Sequence, residues 1–207
     1  MTRQARSVGI SRRSWLLAGI AIPLSRLRGS DDLAVAFDGD TLRPSAPALH
    51  FLTGKALDRL RDAHTVVFIS QLTLFQEDHA TVFRRAPQRF YVSLDIWDAK
   101  FKVTIPGAAP QSKLGLTAAQ AESWCLENLA ISTLGMPPAR PFWFRFELRT
   151  AGEKDLATVV GDSGISISSL IELFSRKPPA NEPHWMLETR LRLSDLHRTS
   201  SRGAPIG

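Results

Sequence analysis

The chain has one cysteine, Cys125, in 207 residues. A lone thiol cannot close an intrachain disulfide, form a Cys-x-x-Cys redox pair or build a cysteine-rich metal site. Cys125 falls on the apolar stripe of an expected helix, where it reads as a small buried apolar residue. Histidine is sparse too. His50, His64, His79, His184 and His197 are far apart, with no His-Glu-x-x-His and no His-x-His pair, so the common zinc signatures are missing. The glycine-rich patterns of nucleotide-binding loops do not occur, and neither does Gly-x-Ser-x-Gly, which removes the usual α/β-hydrolase cue. No apolar run approaches the roughly 20 residues of a comfortable membrane-spanning helix. Tyrosine is almost absent, although 5 Trp and 11 Phe give a heavy aromatic load for packing.

The folded part also lacks a charge of one sign. The net charge of +6 suggests nucleic acid at first sight. All of that excess lies in residues 1–30, which hold six arginines and no acid, while the remainder balances 20 basic against 20 acidic side chains. Phosphate-backbone binding needs cations clustered on one surface. Arg84, Arg85 and Arg89 are the best local cluster, and no nucleic-acid partner is expected.

The first 30 residues have the layout of a signal peptide. A cationic stretch leads into an apolar run of about ten residues that ends near Pro23. Ser11-Arg12-Arg13-Ser14-Trp15-Leu16 resembles the Ser/Thr-Arg-Arg-x-hydrophobic-Leu motif of substrates of the twin-arginine translocation (Tat) pathway. By that resemblance Arg12, Arg13 and Leu16 are the targeting residues, and the Tat translocase is the partner of the leader. The resemblance implies export in the folded state and work in the periplasm or another extracytoplasmic compartment. A small-x-small cleavage site does not follow the run directly. Ala34-Val35-Ala36 has the form but comes late, so both cleavage and retention as an N-terminal anchor stay open. Membrane contact is expected only through an uncleaved leader.

Residues 31–198 are expected to form a single β-rich domain, with 199–207 a frayed tail. Leu33–Leu42 reads as strand with a turn at Asp38-Gly39, interrupted afterwards by Pro44 and Pro47. Thr53 is a fair N-cap for a helix over 54–61, with Leu57 and Leu60 inward. Strands are expected over 65–75, 81–85, 88–97 and 101–105, joined by the polar turn 76–79 and the turn 97–100. Residues 106–115 read as a loop rich in Pro, Ala and Gly. Thr117 and Gln120 form a capping box for a helix running to about Ala130. In the strand 142–149, Phe142, Phe144, Phe146 and Leu148 should point to the core and Arg145, Glu147 and Arg149 to water. A third helix is expected around Ile167–Phe174 and a last strand over 185–193. Short connections and alternation favour antiparallel pairing. The fold class is α+β: a curved antiparallel sheet or partial β-sandwich with about three packed helices. In this layout the chain resembles small exported bacterial proteins of unknown function.

No residue earns a catalytic, cofactor-binding or metal-binding role from its motif. Gly161-Asp162-Ser163-Gly164 looks like the nucleophile motif of chymotrypsin-like serine proteases. The glycine that should follow is Ile165, however, and no histidine has that family's setting, so a turn is expected. Glu77-Asp78-His79 reads as a solvated hairpin end. Asp95 and Asp98 flank Trp97, but glycoside chemistry needs two carboxyls across a cleft, and an Asp in a β-turn needs no function. The functional expectation is therefore a noncatalytic exported domain that binds an envelope protein or a small ligand, without cofactor. An exported enzyme such as a hydrolase, or a structural envelope protein, is the alternative.

Overall fold

A computed structural model describes residues 33–152, Phe174 and residues 182–196. The elements in chain order are β1 (Ala34–Asp38), β2 (Thr41–Ser45), α1 (Gly54–Arg61), β3 (Val66–Phe75), β4 (Val82–Asp95), β5 (Lys100–Ile105), β6 (Gln111–Leu116), α2 (Ala118–Glu127), β7 (Ile131–Ser132), β8 (Phe142–Thr150) and β9 (His184–Leu191), followed by a 3-10 turn at Leu193–Asp195. They build two antiparallel sheets. One has six strands in the order β6-β5-β4-β3-β8-β9, and the other has three in the order β1-β2-β7. The larger sheet is open, with β6 and β9 at its edges, so there is no closed barrel.

The register explains the core. Phe68 lies opposite Phe90, Leu72 opposite Phe146, and Leu74 opposite Phe144. These side chains share one face of the larger sheet, and all are fully buried. α1, α2 and the small sheet contribute Leu60, Ala121, Cys125, Leu42 and Ile131 to the same cluster. The Phe51 ring, from the segment before α1, meets Phe68 edge-on at 4.9 Å. Burying one such aromatic side chain stabilises by roughly 1.5–3 kcal/mol, so this inner layer supplies most of the driving force.

β3 is buried along its whole length, on both faces. At one end of the outer face Val67, Ile69 and Ala151 pack with Tyr91 and Phe174. The Phe174 ring lies under the Arg149 guanidinium at 4.0 Å. This corrects the expectation that Arg145, Glu147 and Arg149 point to water. Glu147 and Arg149 are buried and Arg145 is half-buried. Alternation put these side chains on the right face, but strict period two cannot tell a wet face from a covered one.

Several boundaries also differ from expectation. Pro44 lies inside β2 instead of breaking it. β7 reaches only Thr41 and Leu42, so the missing N–H of Pro44 costs no ladder bond on that side. Pro87 sits within a continuous β4 for the same reason, because β5 pairs β4 only from Tyr91 onward. The expected loop 106–115 contains most of β6, an edge strand exposed everywhere except at Leu116. α2 ends at Glu127 and not near Ala130, making room for β7. The described residues hold two α-helices. The expected third helix lies outside them apart from Phe174, as do Ser163 and the arginine-pair leader. Ala34-Val35-Ala36 lies within β1, so cleavage after Ala36 would remove three of the five residues of that strand.

Candidate functional site

A wide concavity opens at the end of the six-stranded sheet where β3 turns into β4. It has a volume of about 710 Å³. Phe75, Phe83, Met136, Pro137, Pro141 and Phe142 give it apolar walls, and Gln76, Glu77, Asp78 and Arg140 stand at its polar rim. This size and this mix of apolar wall and few polar groups are those of small-molecule sites.

Both sides of the groove are tied down. On one side Gln76 N donates to Thr81 O at 2.8 Å, closing the β3–β4 turn. Inside the turn Asp78 Oδ1 accepts from the backbone of Ala80 and Thr81, and Oδ2 accepts from the Thr81 hydroxyl. These hydrogen bonds, led by the one from the Thr81 hydroxyl, hold the Asp78 carboxyl below its ordinary pKa. On the other side, the segment after β7 is pinned by Thr133 N to Asp40 O, Met136 N to Thr133 O, and the Arg84 guanidinium to Leu134 O at 3.2 Å. Gly135 takes φ +86, a left-handed conformation in which side chains are rarely found, and this lets the loop turn beside the Phe83 ring.

Next to the groove the same turn carries a polar cluster on the outer face. His79 has φ +59, which is uncommon for a residue with a side chain. Its ring is held by Phe75 at 5.4 Å and by Trp143 edge-on at 4.8 Å. His79 Nε2 contacts Glu188 of β9, and Arg145 of β8 also reaches Glu188. Arg190 pairs with Glu77 at 2.7 Å. The cluster therefore clamps the turn to β8 and β9. Further along this face Glu147 and His184 lie 3.8 Å apart. Burial raises the Glu147 pKa, opposed in part by Arg145 and Arg149. Burial, with Arg149 adding, lowers that of His184.

A second small cavity, about 190 Å³, lies between β2, the segment 46–50 and α2. Its chemistry centres on Glu122, whose side chain is only 6% exposed. Oε1 accepts from Phe51 N and Leu52 N, both at 2.7 Å, and Oε2 faces His50 Nδ1 at 3.0 Å. An ionised carboxylate only accepts, so Nδ1 is the ring nitrogen that donates in this contact. His50 is 62% exposed. This arrangement can orient an imidazole, but its firmest role is to bind the segment before α1 to α2. Sequence reasoning missed Glu122. It lies next to the apolar stripe of a capped helix, and nothing local shows that two backbone amides need its oxygens.

The expected candidates scatter. Cys125 is buried as read, and burial, reinforced by Glu122, pushes its thiol pKa well above the usual range. Asp95 is a turn former, accepting from the backbone of Trp97 and Asp98 at its Oδ1. Trp97, between them, is 90% exposed. Alternation along β4 puts Arg85 and Arg89 on the outer face and Arg84 on the inner one, with Arg89 buried. Among the described residues no three His, Cys, Asp or Glu side chains gather as a metal site, and no helix is long and apolar enough to cross a membrane.

No protein-family model matches the chain, and neither a curated protein nor a solved structure matches it.

Proposed function

We propose that this is an exported, noncatalytic ligand-binding domain that holds a small apolar molecule in the groove between the β3–β4 turn and the 133–141 segment. The observation that carries the reading is the groove itself: about 710 Å³, walled by aromatic, methionine and proline side chains. Two features support it. The walls are fixed by backbone hydrogen bonds on both sides, so little ordering cost is left to binding. The polar groups lie at the rim and not in the floor, the arrangement that lets an apolar body bury while a polar end stays at the mouth. Export rests on the arginine pair and apolar run of residues 11–23, and it places the ligand in the cell envelope.

The test is a titration with Nile red, a neutral apolar dye whose emission rises out of water. Native protein should bind it saturably. Met136→Trp, which fills the groove, should lose binding without a change in unfolding midpoint. Absence of saturable binding by native protein would end the proposal.

A further inference from the structure

The groove has polar rim groups of both signs, and their existing bonds decide which sign of ligand they can take. Glu77 is engaged: its Oε1 accepts from Arg190 at 2.7 Å. Asp78 is engaged as well. It accepts two backbone N–H groups of its own turn and the Thr81 hydroxyl, the last at 2.5 Å. Both carboxylates are therefore already partly neutralised or bonded within the protein. The other two rim residues are different. Among the described residues the Arg140 guanidinium makes no hydrogen bond or ion pair, and neither does the Gln76 amide. Arg140 is fixed through its backbone, which donates from its N–H to Pro137 O at 3.3 Å, and the peptide is followed by Pro141 in the groove wall. Arg140 is exposed and lines the groove, with its guanidinium donors unused.

A guanidinium presents a planar set of N–H donors matched to a carboxylate. Phe75, Phe83, Met136 and Phe142 line the same groove, and the Arg145 and Arg84 guanidiniums lie over the Phe75 and Phe83 rings at 4.4 and 5.7 Å. Resting on the ligand-binding reading above, we propose that the groove takes an apolar chain bearing one terminal carboxylate, with the chain along the aromatic walls and the carboxylate on Arg140. Gln76 supplies a further donor at the same rim. The two acids set specificity in the same direction. Glu77, paired with Arg190, and Asp78, bonded within its own turn, disfavour a second negative charge on the ligand.

The experiment compares dodecanoate with dodecanol, both below the concentrations at which they aggregate, as displacers of Nile red from the full chain. Dodecanoate should bind about tenfold or more tightly than dodecanol, the difference expected of one charge-assisted contact. Arg140→Gln should bring dodecanoate down to the level of dodecanol and leave dodecanol unchanged, while Arg140→Lys should retain part of the preference. Equal binding of the two by native protein would overturn the carboxylate assignment and leave the groove as an apolar site. A preference that survives Arg140→Gln would overturn the role of Arg140. Failure of both compounds to displace bound dye would overturn the inference, and failure of the dye to bind at all would remove the ligand-binding reading beneath it.

Discussion

Glu122 is the residue whose role is clearest in the structure and least visible in the sequence. Its two oxygens serve three groups from one segment: Phe51 N, Leu52 N and His50 Nδ1. Buried backbone amides left without a partner cost about 1–3 kcal/mol each. Glu122→Ala should therefore lower the unfolding free energy by more than Cys125→Ala, although the two side chains stand on the same buried side of α2. Glu122→Gln should cost less, because its amide oxygen can still accept from both backbone groups. Chemical denaturation at constant m-value checks the order. If Glu122→Ala were as mild as a surface change, the carboxylate would not be the staple described here. His79 makes a related point. Its left-handed backbone would by itself favour glycine, and the ring contacts with Phe75 and Trp143 and the bond to Glu188 are what hold it.

At the scale of elements, what the sequence showed depended on whether a strand's neighbours impose a pattern. β8 was readable because four apolar side chains alternate over a buried face. α1 was readable to its last residue, and the start of α2 was fixed by a capping box that forms as expected, with Thr117 and Gln120 each bonded to the other's backbone. β6 and β7 were not readable. β7 is two residues long, and β6 buries only Leu116, so neither has enough one-sided burial to leave a period. The groove was illegible for another reason: its walls come from the β3–β4 turn, the 135–141 segment and the start of β8, which only the fold brings together. β6 also has a bulge, where its register against β5 shifts and Gly115 takes φ +74. A Cβ at Gly115 would meet nothing within 4 Å, so substitution there tests backbone conformation alone. Gly115→Val should destabilise by about 1–2 kcal/mol, from left-handed strain at a β-branched residue. An unchanged unfolding midpoint would show that the edge relaxes into a regular ladder.

For the whole molecule the decisive feature is where its charge lies. The chain carries +6, and a body with that excess spread over its surface would collect polyanions. Here the excess coincides with residues 1–30, where six arginines precede or flank an apolar run. The rest of the chain is balanced, and the outer sheet face mixes Arg145, Arg149 and Arg190 with Glu147 and Glu188, so that opposite charges neutralise one another locally. A concentrated cationic stretch before a short apolar run is the layout of a signal peptide. The Tat assignment further demands that the two central positions be arginine and not merely positive. Changing Arg12 and Arg13 together to lysine conserves the net charge, the apolar run and every residue of the folded domain. General cationic targeting would survive that change. Recognition of the arginine pair would not, because a guanidinium's planar donors differ from a lysine ammonium. Cell fractionation should therefore find the native chain outside the cytoplasm and the double-lysine chain folded inside it. Equal delivery of both would remove the twin-arginine assignment, and the groove would then have to be placed in whichever compartment the chain is found.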